Sequence, residues 1–227
     1  DFVDAVIELA GREGLYVGLL PTWGKYVTSS AFDGKVDGIF NVTNAEAYGR
    51  FLGERWRNRS NLVWILGGDK APSTPEAVAI WRAMAKGITL GVAGREDHDA
   101  VLMTYHTSGP GHVSDYLHEE AWLDFTSVQS SHGNLVESWR FIEKHWDRTP
   151  VKPVIDLESS YPDAYIQPSW LPERMRAEMV ASTSIASISP TGVSSAMILP
   201  WSMTAMRSQR ISASSMHASL PKRFQPA

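Results

Sequence analysis

Apolar residues along the chain follow two alternating rhythms. In one, they recur every three or four positions over ten or more residues, the spacing of a helix with one buried face. In the other, they run unbroken between glycines, prolines and polar clusters, which reads as a strand buried on both faces of a parallel sheet. The clearest such run is Asn61-Leu-Val-Trp-Ile-Leu-Gly-Gly-Asp69. It is apolar from Leu62 to Leu66, two glycines let the backbone turn, and a carboxylate follows where the strand ends. Lys152-Pro-Val-Ile-Asp-Leu-Glu158 has the same form.

Taken in order, Phe2, Val3, Val6, Ile7 and Ala10 predict a helix over 2–12, ended by Gly11 and Gly14. A strand over 15–20 follows, then Pro21-Thr-Trp-Gly24 and a loop over 25–43. Asn44 is the expected cap of a helix over 44–57, without a capping box because Ala47 stands three residues on. Arg50 and Glu54 are spaced to pair on its exposed side. After the central strand, 61–67, Pro72 and Pro75 break the chain before a helix over 75–86. Strands are expected over 101–106, 125–129 and 151–157, a flexible loop over 107–112, and a helix over 134–146. A last helix, 173–180, has Pro172 at its start.

Short apolar strands alternating with longer helices are the signature of an α/β fold. The polar and aromatic residues Trp23, Asp69, Tyr105, His106, Gln129, His132 and Glu158 all follow strands. In a (β/α)8 TIM barrel those ends form one face, where the active site lies. A doubly wound sheet is the alternative, but the glycine-rich phosphate turn expected after its first strand is missing. The chain enters directly into a helix, so the barrel is expected to be incomplete: strands one and two missing, strand eight not recognisable. The expected organisation is a partial barrel domain over 1–181 and an atypical tail over 182–227. Past Glu178 there is no acidic residue, serine and methionine become frequent, and no period survives. The tail reads as a disordered serine-rich segment or as a reading-frame error.

Composition narrows the function. The 227 residues suffice for a sizeable core, and a net charge of −4 gives no reason to propose nucleic acid as partner. No apolar run approaches the roughly 20 residues that cross a bilayer, so no membrane insertion is expected. With no cysteine, thiolate chemistry and disulfides are excluded. Nine tryptophans suit either a core or a cleft that stacks on sugar rings. Trp23 is open to both readings, as a rim aromatic or as a sugar platform.

Asp69 and Glu158, each at a strand end, are the pair of carboxyl groups that glycoside hydrolysis needs. If the first strand is barrel strand three, Asp69 ends strand four and Glu158 strand seven, facing each other across the mouth. Carboxyl groups about 5 to 5.5 Å apart go with retention of configuration, and about 6.5 to 9.5 Å with inversion. The competing readings are a helix cap or turn residue for Asp69 and a salt-bridge partner for Glu158. Period two places Asp156 on the same side as Glu158 but deeper, as a buried structural acid, with an exchange of roles with Glu158 as the alternative. His106 and His132 are candidates to orient a carboxylate or to bind sugar hydroxyls. A metal is the other use of such residues, but neither a His-x-His nor a His-Glu-x-x-His spacing occurs, so no metal or cofactor is expected. Leu117-His-Glu-Glu120 falls in an expected loop, and Gly109-Pro-Gly111 lacks the lysine of a phosphate loop.

Several of these stretches together resemble a family. Gly14-Leu-Tyr-Val-Gly-Leu-Leu-Pro-Thr-Trp-Gly24, Asn44-Ala-Glu-Ala-Tyr-Gly-Arg-Phe-Leu-Gly53, Trp64-Ile-Leu-Gly-Gly-Asp69, Met103-Thr-Tyr-His106 and Trp122-Leu-Asp-Phe125 resemble the apiosidase-like glycoside hydrolases of family 140, also described as collagenase or collagen-binding relatives. The resemblance runs from about residue 1 to 180. It implies a (β/α)8 barrel and a retaining hydrolase that releases apiose-containing units from the pectin rhamnogalacturonan II. It implies Asp69 as acid/base and Glu158 as nucleophile, with Trp23, Tyr105, His106, Gln129, His132 and Tyr161 in the pocket. It also implies an oligo- or polysaccharide substrate and a secreted or periplasmic location. Where the family shows a Gly-Glu-Pro sequence at the nucleophile, this chain has Leu157-Glu158-Ser159, followed by a fitting Tyr161-Pro-Asp163. A catalytically inactive binding module and a non-functional fragment are the other classes to weigh. Sugar binding that survives loss of either acid would mark the first, and failure to fold the second.

Overall fold

The computed structural model describes residues 2–27, 38–130, 138–145, 148–158 and 198–199. Helix α1 (Phe2–Arg12) leads into strand β1 (Tyr16–Leu19), α2 (Val42–Trp56) into β2 (Leu62–Gly67), and α3 (Pro75–Ala93) into β3 (Met103–His106). Then come β4 (Gly111–His112), α4 (Ser114–Leu117), β5 (Thr126–Gln129), α5 (Ser138–Glu143) and β6 (Val154–Glu158). A short β7 (Ile198–Leu199) closes the order.

Strands β1, β2 and β3 are parallel neighbours, with Val17 beside Leu62 and Trp64 beside Met103. β5 and β6 form a second parallel pair. Side chains tie the two sheets edge to edge: Thr104 Oγ1 donates to the Phe125 carbonyl, and Ser127 Oγ donates to that of Tyr105. The parallel strands therefore follow one another in chain order, as in a mixed α/β fold built from successive βα units. On the outer edge of β1, Ile198 and Leu199 of the tail pair antiparallel with Val17 and Tyr16. The rest of the tail, the expected helix at 173–180 and residues 134–137 and 146 of the helix expected at 134–146 lie outside the described residues.

Alternation along each strand builds two apolar layers. Leu62, Trp64, Leu66, Met103 and Tyr105 face the helices, where they join Ile7, Leu52, Trp81, Met84 and Ile88 in the main core. Val63 and Ile65 turn the other way and meet Phe125, Ile155 and Leu157 from the second sheet. β2 is buried at every position, as expected of a central parallel strand.

Two helices differ from the sequence reading, each for a local reason. α2 starts at Val42 because Asn41, not Asn44, is its cap; Asn44 is the reciprocal partner, so a capping box is present. The two asparagines exchange bonds of 3.0 and 2.7 Å. α3 runs to Ala93, past the expected end at 86, with Gly94 in the left-handed conformation as its stop. Its Gly87 and Gly91 are not breakers. They lie against the backbone of α2 at Glu46, Arg50 and Glu54, and Gly49 and Gly53 of α2 lie against Met84 and Ile88 in return. The expected loop over 107–112 also holds structure, since Gly111 and His112 pair with Gln129 and Val128.

Candidate active site

The central strand ends in a turn that only certain residues can make. Gly67 and Gly68 have φ of 89° and 115°, and Asp69 follows at 51°. A side chain on Gly67 would run into the His106 carbonyl and the Tyr105 ring. Glycine is required there, and aspartate is among the few other residues that tolerate a positive φ. The turn is tied to β3 by a 2.9 Å bond from Gly68 N to the His106 carbonyl. It is tied to the loop after β1 by a 3.2 Å bond from Gly24 N to the Gly68 carbonyl. Asp69 is thereby held at the strand-end face with its side chain 39% exposed.

Three more residues reach that face from the last positions of their strands. His106 ends β3, Gln129 ends β5 and Glu158 ends β6. Gln129 and Glu158 sit side by side in the parallel register, and Gln129 Nε2 donates to Glu158 Oε2 over 2.8 Å. His106 stands between the two acids. Its Nε2 is 3.1 Å from Glu158 Oε2, and its Nδ1 is 3.6 Å from Asp69 Oδ1. One atom each from Asp69, His106 and Glu158 lie within 4.8 Å of one another. β2 and β6 are three strand spacings apart, about 14 Å in a flat sheet. The strands must curl for these side chains to meet.

Trp23 stands beside the Asp69 turn. Its ring packs on Gly68, the residue before Asp69, and it is 44% exposed. An exposed indole next to a carboxylate is the form of a sugar platform. Tyr105 is placed differently from the expectation. It is fully buried on the helix side of β3, edge-on to Trp81 at 5.4 Å. Its hydroxyl donates to the Lys70 carbonyl over 2.7 Å. Period two sends adjacent strand residues to opposite faces, so Tyr105 cannot share the pocket with His106. It anchors the Asp69 turn from behind, through Lys70, a residue that sequence reasoning passed over although it adjoins the acid. His132 and Tyr161 lie outside the described residues.

Asp156 also departs from the period-two reading. The β5–β6 register slips between Val128 and Gln129, so that Val128 pairs with Asp156 and Gln129 with Glu158. A bulge at Leu157 thus turns Glu158 to the site and Asp156 away from it. The Asp156 carboxylate accepts from Ser130 Oγ at 2.7 Å and from the Glu158 amide at 3.3 Å. Burial, with the nearby Glu158 charge adding to it, pushes its carboxyl up to about 6. It is a structural acid, as expected, that pins the backbone of Glu158.

The trio of Asp69, His106 and Glu158 is also the cluster among the described residues with a metal-like donor set. However, His106 faces the two carboxylates through different nitrogens, and only its Nε2 is within hydrogen-bond distance; coordination of a shared ion would use one nitrogen.

The profile of the apiosidase-like catalytic domain matches residues 1–190. The chain belongs to the apiosidase-like family. Among solved structures it is similar to the crystal structure of a glycoside hydrolase family 5 protein from Bacteroides vulgatus ATCC 8482. The two share 29% identity with a TM-score of 0.68, over 82% of this chain and 41% of that one. It is also similar to a structure described as a glycoside hydrolase, with 28% identity and a TM-score of 0.63, over 85% of this chain and 47% of that one. The chain thus spans less than half the length of these solved structures. No curated protein matches the sequence. Within the apiosidase-like domain the residues 182–190, set apart by composition, fall inside the family match.

Proposed function

We propose that the chain is the catalytic domain of a retaining glycoside hydrolase, with Glu158 as nucleophile and Asp69 as acid/base. The observation that carries this reading is the meeting of Asp69 and Glu158, from β2 and β6, at one strand-end face within 4.8 Å. Such closeness suits the retaining geometry, in which no water stands between the carboxyl groups. Glu158 is the more enclosed, 16% exposed against 39% for Asp69. A nucleophile is best placed under the sugar ring, and a proton donor nearer to the leaving group and solvent. Asp69 protonates the leaving oxygen while Glu158 attacks the anomeric carbon; Asp69 then takes a proton from the water that releases the sugar.

The family and the solved relatives support a carbohydrate substrate. An apiose-containing pectic saccharide is the specific choice, and a complete (β/α)8 barrel is the architecture we infer for the whole catalytic domain. Trp23 supplies the stacking surface, and the Gln129 side chain holds Glu158 in line.

The test uses 4-nitrophenyl apioside and pectic oligosaccharides with the purified chain. Glu158→Gln lowers turnover by about 10³-fold or more, and proton NMR of the first product shows retained anomeric configuration. Asp69→Asn slows the oligosaccharide by about 10²- to 10⁴-fold, and the activated aryl substrate far less in its first step. Turnover by Glu158→Gln close to that of the native chain would sink the assignment, and an inverted product would remove the retaining mechanism.

A further inference from the structure

The imidazole between the two acids has an asymmetry that neither carboxylate shares. Its Nε2 lies 3.1 Å from Glu158 Oε2, within hydrogen-bond reach, whereas its Nδ1 is buried, makes no hydrogen bond, and faces Asp69 Oδ1 at 3.6 Å. An ionised carboxylate only accepts hydrogen bonds, so the ring proton belongs on Nε2.

We infer that His106 is a positioning residue that keeps the two acids in unlike protonation states. Through Nε2–H it stabilises the charge on Glu158, and through the bare Nδ1 it favours the form of Asp69 that carries a proton. The inference rests on the glycosidase reading above and deepens it. A lone pair aimed at a carboxyl group accepts a hydrogen bond from the acid and repels the anion. Catalytic hydrogen bonds that are long in an unliganded site tighten when substrate binds, and a modest side-chain rotation brings Asp69 to Nδ1.

The asymmetry serves both halves of a double displacement. In the first, the Asp69 proton passes to the leaving oxygen, the glycosidic C–O bond breaks, and a Glu158 oxygen bonds the anomeric carbon. In the second, water attacks that carbon, one of its protons passes to Asp69, the bond to Glu158 breaks, and Glu158 regains its charge. His106 keeps its proton on Nε2 throughout. By disfavouring the Asp69 anion it makes Asp69 a stronger base in the second half. Among the described residues, the titratable groups that bear on the ring are Asp69 after β2 and Glu158 on β6; Asp156, also on β6, acts through Glu158.

The first measurement is the nitrogen-15 NMR spectrum of the intact chain with labelled histidine, His106 being assigned by its shift in Asp69→Asn. The expected result at neutral pH is a protonated Nε2 and an unprotonated Nδ1. A proton on Nδ1, alone or together with one on Nε2, overturns the inference whatever the activity. The second is the pH profile of kcat/KM for His106→Gln, which keeps a donor for Glu158 but replaces the basic ring nitrogen by a far less basic amide oxygen. Its alkaline limb moves down by about one pH unit and its turnover falls about tenfold, most on substrates with poor leaving groups. An unmoved alkaline limb overturns the inference too. Hydrolysis that survives in both Asp69→Asn and Glu158→Gln would instead defeat the glycosidase reading, and the nitrogen spectrum would still decide the tautomer.

Discussion

Gly67 shows how much a single residue decides in this chain. Its φ of 89° is followed by two more positive values, and together they swing Asp69 out of the strand and onto the strand-end face. An added methyl group would sit against the His106 carbonyl and 2.7 Å from the Tyr105 ring at Cζ. We expect Gly67→Ala to lower stability by at least about 2 kcal/mol and to misplace both Asp69 and His106. Urea unfolding with a midpoint unchanged from the native chain would contradict the turn as described. The same motif was conspicuous in the sequence, as two glycines that let the backbone turn before a carboxylate at a strand end. Period two separates Tyr105 from His106, but which of the two faces the site was not legible. Nor was the bulge at Leu157. A bulge depends on the register of two strands, and no composition at 154–158 announces it.

At the scale of elements, α2 and α3 pack backbone against backbone. Gly49, Gly53, Gly87 and Gly91 bring the two backbones together, so that each lacks room for a methyl group. A glycine in a helix normally costs about 0.5 to 1 kcal/mol against alanine, and substitution should then stabilise. Here the sign reverses: we expect Gly87→Ala to destabilise by about 1 to 3 kcal/mol, measured by thermal and urea unfolding. Arg50→Ala, which removes the exposed 2.9 Å pair with Glu54, changes stability by less than about 0.5 kcal/mol. A stabilising Gly87→Ala would show that the helices stand further apart. Read singly, these glycines look like helix breakers, which is why the expected helix stopped at 86. The spacing of four shared by both pairs becomes meaningful only once the helices are known to be partners.

The whole molecule contains a second buried histidine group, away from the acids. His112 stacks between Phe141 at 5.0 Å and His145 at 3.8 Å, measured between ring centres. Ser114 Oγ lies 2.6 Å from His145 Nδ1. Burial pushes both imidazoles down to about 4, with Lys144, Arg148 and, for His145, the His112 ring adding to the effect and Asp115 opposing it. In the unfolded chain a histidine titrates near 6.5. The folded state therefore has its full stability above about pH 6.5 and loses it as the pH falls towards 4. Asp156, raised to about 6 by burial, works the other way between its ordinary range and 6, and offsets part of the loss. Urea midpoints at pH 7 and 4.5 measure the net slope, and His112→Phe should flatten it. An equal slope in that variant would remove the stacked pair as its source.

The sequence by itself determined the alternation of helices and strands, the strand that lies at the centre, and the two carboxylates with the histidine and glutamine that accompany them. It could do so because periodicity and strand-end chemistry are local, and each is written within a few consecutive residues. Only the tertiary structure decided that Asp69 and Glu158 meet, that His106 faces them through different nitrogens, and that Tyr105 and Asp156 stand behind the site. Those outcomes depend on how far the sheet curls, where one strand slips its register and which backbones approach. Such quantities arise between segments distant in sequence, and no single segment encodes them.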